Sequence, residues 1–308
     1  MKLFFVFSSF IWSCASALKR SLYFAKPEKL SIPVISVGNL QAGGTGKTPL
    51  VILIAKEAIQ QGLRPCILTR GYHSQWEKTG GVISPGSPTP AVLQCGDEAA
   101  LIYAEAPQTT IVIGKDRLSN LKNIRDFHTL FDLIILDDGF QYHAIKKDLE
   151  IVLMTSYTPK QKVFRDFYSS LKHAQMVVWT KGNALPIGVK SDVRVRFQIA
   201  KNFSQDKTHV FLVTAVGDPI SVLETIRQTN LIVKKHFVFS DHYNYKKEEI
   251  KKILDESQKL NCKVVLTQKD WIKWKEHEIL RSEVLVLETE VVFLQGREYW
   301  NQKLWDFL

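Results

Sequence analysis

Cysteine is scarce in this chain of 308 residues, and the four present, Cys14, Cys66, Cys95 and Cys262, lie far apart. Neither a zinc site nor a disulfide framework has that spacing, and a reducing compartment suits it best. Long apolar runs are missing as well. The best candidate, residues 3–12, stops short of the ~20 residues of a spanning helix and already contains Ser8 and Ser9. A polytopic membrane protein is therefore not expected. Internal repeats and low-complexity tracts are absent, and 16 Gly and 11 Pro beside 45% apolar residues are too ordinary for a collagen-like or disordered chain. A chain of this length buries roughly 75% of its unfolded surface, so a sizeable core is expected.

Acidic residues are the minority: 41 Lys plus Arg against 31 Asp plus Glu leave a formal charge of +10. That excess favours an anionic partner, such as phosphate groups or an acidic membrane surface. No nucleic acid is expected, because zinc spacing, an RNA-recognition signature and a continuous basic helix are all lacking.

Residues 1–24 fit two patterns. Lys2, the apolar run after it and Cys14-Ala15-Ser16-Ala17 satisfy the recipe for a cleaved secretory signal. Wound as a helix, the same segment sets Phe4, Phe7, Ile11, Cys14, Leu18 and Leu22 on one stripe and Ser9, Ser13, Ser16 and Arg20 on the opposite one. An amphipathic membrane anchor has that form, with Lys19 and Arg20 for anionic headgroups and Trp12, Tyr23 and Phe24 for the water–acyl boundary. These residues leave both patterns open.

Beyond Pro27 short β-rich runs alternate with longer helical ones. Strands are predicted at 34–37, 66–69, 110–113, 133–136 and 150–154, and helices at 49–61 and 116–127. Such alternation gives an α/β fold, with a parallel sheet flanked by helices and ligands beyond the carboxyl ends of the strands. A second set, at 176–180, 193–199, 210–215, 236–239 and 263–266, predicts a smaller α/β domain. Ser, Thr, Pro and Lys cluster at 155–162, so the expected division is 25–155 for a nucleotide-binding domain and 156–296 for one that closes over it. A last helix at 297–308 returns to either.

The strongest motif is Gly38-Asn39-Leu40-Gln41-Ala42-Gly43-Gly44-Thr45-Gly46-Lys47-Thr48, between a strand and a helix. In a phosphate loop, Gln41 to Gly46 turn backbone N–H groups toward phosphate oxygens. Lys47 neutralises their charge and the Thr48 hydroxyl holds Mg²⁺. The general pattern requires Gly where this chain has Gln41. Leu133-Ile134-Ile135-Leu136-Asp137-Asp138-Gly139 supplies the acidic element that orients the metal, although the same letters also make an ordinary strand-ending turn. Gly96-Asp97-Glu98 reads as carboxylates for the cleft or as a helix cap, and Asp241-His242-Tyr243 as a helix cap whose His242 is either catalytic or a surface or structural histidine. Arg70-Gly71-Tyr72 and Arg117 sit at element ends suited to phosphate or carboxylate recognition, or equally to solvated surface charge. Thr180-Lys181-Gly182-Asn183 approaches the guanine-reading sequence of P-loop GTPases but has Asn183 in place of the decisive acid.

Taken in order, Val37-Gly38-Asn39-Leu40 through Thr48-Pro49, Thr69-Arg70-Gly71-Tyr72, Gly96-Asp97-Glu98, Asp116-Arg117, Asp137-Asp138-Gly139-Phe140-Gln141, Ser240-Asp241-His242-Tyr243 and Thr267-Gln268-Lys269-Asp270 closely resemble the tetraacyldisaccharide 4′-kinase family of lipid A biosynthesis. The displaced glycines of the loop are the form that family uses. The resemblance implies a P-loop NTPase-like fold and ATP-dependent phosphorylation of an acylated glucosamine disaccharide 1-phosphate at its 4′-hydroxyl, giving lipid IVA. It also implies a peripheral position on the cytoplasmic face of the bacterial inner membrane, which favours the anchor over the signal. Carried over, Lys47 and Thr48 bind ATP and Mg²⁺, and Asp137, Asp138 and Glu98 complete the metal set. Asp97 acts as general base together with His242, and Arg70, Tyr72 and Arg117 contact the lipid substrate. Tyr142 and Ala144 stand where the family has His and Arg, Asp218 where Asn is usual and Lys147 where Arg is frequent.

Overall fold

Consecutive apolar positions in the chain become strands covered on both faces, which is why they carry no polar alternation. The computed structural model describes residues 2–23, 27–159, 161–200 and 207–306. Phe24, the Tyr23 side chain and positions 307–308 of the expected last helix lie outside the described residues. Thirteen strands follow in order: β1 (Val34–Asn39), β2 (Pro65–Thr69), β3 (Gly81–Ile83), β4 (Thr110–Ile113), β5 (Leu133–Asp137), β6 (Leu149–Thr155), β7 (Met176–Lys181), β8 (Val193–Ile199), β9 (Thr208–Thr214), β10 (Leu231–Val238), β11 (Lys263–Thr267), β12 (Val284–Leu287) and β13 (Thr289–Gln295). A nine-stranded sheet has the order β13-β8-β7-β6-β1-β5-β2-β4-β3, and a four-stranded one β10-β9-β11-β12. Among the described residues only the outermost pairs of the larger sheet, β13 with β8 and β3 with β4, are antiparallel.

The division of the chain differs from the expected one. The strands near 176–180 and 193–199 do not open a second unit: β7 pairs with β6 from Ile151↔Met176 onward, β8 continues from β7, and β13 returns to β8. The smaller sheet holds only β9 to β12, so the chain leaves the first sheet after β8 and not at 155–162. The polar cluster at 155–162 belongs to a crossover between neighbouring parallel strands, a connection that is necessarily long. The helix Arg297–Trp305 packs on the larger sheet, where Trp300 and Leu304 are buried and Trp300 Nε1 donates to Glu57 at 3.2 Å.

Behind the phosphate loop the helix Lys47–Gln60 buries Leu50, Val51, Ile54, Ala55 and Ala58 on one face. Each larger member adds about 1.5–3 kcal/mol relative to exposure. The N-terminal helix, Lys2–Tyr23, is mounted the other way round: its serine stripe faces the protein and its apolar stripe faces outward. Ser13 is 2% exposed, while Phe7 is 65% and Leu22 71% exposed. Ser9 accepts from the Phe164 N–H at 2.8 Å, and Ser16 donates to Asp166 at 3.0 Å. Among the described residues no helix is long and apolar enough to cross a membrane.

Candidate active site

The loop after β1 explains its own departure from the general phosphate-loop pattern. Positive φ falls at Gly43, Gly44 and Gly46 (71°, 60° and 90°), so the left-handed conformations that favour glycine lie there and not at Gln41. Gln41 is buried and turned away from the loop mouth, accepting from the Thr155 hydroxyl at 2.7 Å and donating to the Tyr157 carbonyl at 3.0 Å. Ala42 N–H donates to the Val163 carbonyl at 2.8 Å. The Asn39 amide donates to Thr45 Oγ1 at 2.7 Å, tying the two ends of the loop together. Lys47 and Thr48 open the following helix, where unpaired N–H groups and the helix dipole favour an anion.

β5 lies beside β1 and delivers the acids to the same mouth. Asp137 is buried and accepts from the Thr69 hydroxyl at 2.9 Å. Burial, reinforced by the charges of Glu98 and Asp138, pushes its carboxyl up to about 7. Asp138 sits at φ 51° and is gripped by a bidentate Arg165 at 2.7 Å to each oxygen, with Lys47 3.5 Å away. Burial opposes its charge, but Arg165 and Lys47 outweigh that and hold it well below the usual carboxylate range. Arg165 also donates to Asn39 Oδ1, so one guanidinium joins the acidic turn to the loop.

Across the cleft stands a second constellation. Asp97 is the first residue of the helix Asp97–Glu105, yet it caps nothing: it is 5% exposed, and both its oxygens lie 3.0 Å from His242 Nδ1. Lys273 Nζ is 3.0 Å and Lys269 Nζ 3.5 Å from its Oδ2. Burial raises the Asp97 carboxyl, but the His242 hydrogen bond and the two lysines prevail and leave it far below its ordinary value. His242 follows β10, and the lysines lie one turn apart on the helix Gln268–Trp274 after β11. That helix packs on Asp97–Glu105, with Gln268 donating to Glu105 at 2.7 Å. Glu98 faces Lys269 at 3.8 Å, and its charge also acts on Asp137, so it stands between the two constellations.

The cationic and aromatic candidates divide. Arg117 is buried, donates to the Asp138 carbonyl at 3.3 Å and lies 4.9 Å over the Tyr142 ring. Tyr142, the departure noted above, holds this corner by accepting from the Leu118 N–H at 2.9 Å. Tyr72 is exposed with its ring 5.6 Å from that of His242. Arg70 turns aside to Glu77 at 2.7 Å and lies 5.3 Å over Tyr72. Lys181, in the stretch that approaches a guanine-reading sequence, pairs instead with Asp218 at 3.3 Å.

No three His, Cys, Asp or Glu side chains among the described residues converge to hold a metal by themselves. Thr48, Asp137 and Glu98 nevertheless suit Mg²⁺, since all are hard oxygen donors and Asp137 sits among negative charges that a cation relieves; Asp138, expected in the same set, instead has both oxygens taken by Arg165. Mg²⁺ typically takes one or two carboxylates and completes its shell with water and substrate phosphates.

A family model described as tetraacyldisaccharide-1-P 4′-kinase matches residues 1–308. The chain belongs to that family. It is 28% identical to the tetraacyldisaccharide 4′-kinase of Chlorobaculum parvum over 97% of this chain and 92% of that one. With the enzyme of the same name from Chlamydia trachomatis it shares 29% identity over 87% of this chain and 77% of the other. A crystal structure of LpxK from Aquifex aeolicus in complex with ATP superposes with a TM-score of 0.71 at 24% identity, covering 96% of this chain and 95% of that one, which shows a common fold. The kinase reading is thereby placed on a geometry that already joins loop, acids and His242. Arg165, Lys269 and Lys273 were not assigned roles by sequence reasoning. The four-residue spacing of the two lysines on a predicted helix marks them as neighbours, but nothing local marks their approach to Asp97.

Proposed function

We propose that this chain transfers the γ-phosphoryl group of ATP to the 4′-hydroxyl of tetraacyldisaccharide 1-phosphate, giving lipid IVA, at the cytoplasmic face of the inner membrane. The observation that carries this reading is the Asp97–His242 pair at 3.0 Å, whose neighbour Glu98 reaches Lys269 on one side and acts on Asp137, beside the phosphate loop, on the other. A phosphoryl donor held by Gly43 to Thr48 and an acceptor hydroxyl held at Asp97 would meet between the two sheets. Phosphoryl transfer has a loose transition state, so catalysis is mostly positioning and charge stabilisation.

In this reading Lys47 and the backbone of the loop neutralise the ATP phosphates, and Arg117 adds charge beside the acidic turn. Thr48 and Asp137, with Glu98 nearby, would hold Mg²⁺, which would supply charge neutralisation on the phosphates. Asp97 and His242 act as one unit: the histidine fixes the carboxylate, and the pair accepts the proton of the sugar hydroxyl as its oxygen commits to phosphorus. Lys269 and Lys273 hold the pair in register, and Tyr72 and Arg70 lie where the disaccharide would approach. The outward apolar stripe from Phe4 to Leu22 would enter the headgroup region and bring the cleft to a lipid acceptor.

The test is transfer of γ-labelled phosphate from ATP to tetraacyldisaccharide 1-phosphate in detergent micelles, comparing wild type with Asp97→Ala. Labelled lipid from the wild type and a fall of at least about 10²-fold in the variant are expected. Nucleotide hydrolysis that prefers GTP, with no labelled lipid, would replace this reading by a switch-type GTPase.

A further inference from the structure

Residues 163–167 run between the N-terminal helix and the phosphate loop and bond to both. Toward the loop, the Val163 carbonyl accepts from Ala42, the Arg165 N–H donates to the Leu40 carbonyl at 2.6 Å, and Phe164 bridges Gln41. The Arg165 guanidinium continues in that direction, to both oxygens of Asp138 and to Asn39. Asp166, the next residue, turns to the helix instead: it is 1% exposed, accepts from Ser16 at 3.0 Å and forms an ion pair with Arg20. Phe164 adds its N–H to Ser9. Adjacent side chains of one short segment thus grip the ATP site on one side and the outward-facing helix on the other.

We propose that Arg165 and Asp166 are positioning residues that couple the seating of the N-terminal helix to the geometry of the ATP site. The helix is then part of the loop's support as well as the membrane contact. Two features make the coupling stiff. Asp166 is the buried member of its ion pair, so losing Arg20 removes a cation in direct contact and leaves a buried carboxylate with the Ser16 hydroxyl and the Phe167 N–H as neutral donors. The Arg165 fork meets three acceptor oxygens at once, a geometry that a lysine cannot reproduce. A shift of the 163–167 backbone therefore reaches Asn39, Asp138 and, through Asn39, Thr45.

The proposal deepens the kinase reading, and its test is read without any lipid acceptor. Full-length protein in detergent micelles is titrated with a fluorescent ATP analogue. Asp166→Asn and Arg20→Gln are each expected to weaken nucleotide binding by about tenfold, the order for a lost hydrogen bond to a charged group. Because the ion pair is the contact the two share, the losses in the double variant are expected to be well short of additive, the remainder coming from Arg20 over the Phe140 ring. Ser16→Ala provides a milder version that keeps the ion pair. Arg165→Lys is expected to lose affinity although it keeps the charge. Ile253→Val, a core change under the smaller sheet, is the stability control and retains affinity while lowering the melting temperature. As a second readout, in the kinase assay the helix variants are expected to raise the KM for ATP with the KM for lipid unchanged. Wild-type affinity in both Asp166→Asn and Arg20→Gln, or additive losses in the double variant, would overturn the coupling. A wild type that binds nucleotide but phosphorylates no lipid would overturn the function and leave the coupling decided by the titration.

Discussion

Both sheets bring the carboxyl ends of parallel strands to the cleft, the larger one with backbone N–H groups and carboxylates, the smaller one with His242, Lys269 and Lys273. Two aspartates record what that difference does. Asp137, at the end of β5, is pushed up to about 7 by burial and by Glu98 and Asp138. Asp97, also buried, is driven the opposite way because the smaller sheet supplies a histidine and two lysines that outweigh its burial. The lesson is that neighbours, and not burial alone, decide which way a buried carboxyl is driven.

Removing the cation of the larger sheet is expected to have the greatest effect. Lys47→Ala should lower kcat by at least about 10²-fold, the scale of a lost charge clamp, and near-normal turnover would remove Lys47 from that role. A smaller change strikes the other side: Lys273→Met keeps the length of the side chain and deletes its charge. A fall of about tenfold in kcat is expected, as for a hydrogen-bonded charge that loses its partner, with the acid limb of the pH–rate profile moved upward. An unmoved profile would show that His242 and Lys269 suffice to hold Asp97.

The subtlest contrast is in stability. An aspartate whose folded value is raised to about 7 contributes stability that is full below its unfolded value near 4 and is lost as pH rises through 7. For protein free of nucleotide and divalent cation, the melting temperature should therefore fall between about pH 4 and 8 by an increment that Asp137→Asn abolishes. Asp97 contributes with the opposite sign and only in acid, since its depressed value places the loss of its contribution below about pH 4. Identical slopes for wild type and Asp137→Asn would mean that Asp137 is not the group that titrates.

Much of the larger sheet was legible because its signals are local. A strand, a glycine loop, Lys-Thr and a helix follow one another in the chain, and Asp137-Asp138 ends the strand that pairs with β1. The Gln41 anomaly was visible but not explicable, since its reason is a contact with Thr155 and Tyr157 more than a hundred residues away. The division of the chain was misplaced for a related cause. A polar crossover and a domain linker have the same composition, and only the pairing of β7 with β6 tells them apart.

The sequence by itself determined the alternating α/β pattern, the phosphate loop and the two-striped N-terminal helix, because each depends on the periodicity or spacing of neighbouring residues. Only the tertiary structure decided that the serine stripe docks while the apolar stripe faces out, that Asp97 meets His242 in place of capping a helix, and that Arg165 bridges Asn39 and Asp138. Those are contacts between elements far apart in the chain. They arise when parallel sheets, packed by their apolar faces, bring the ends of distant strands to one cleft.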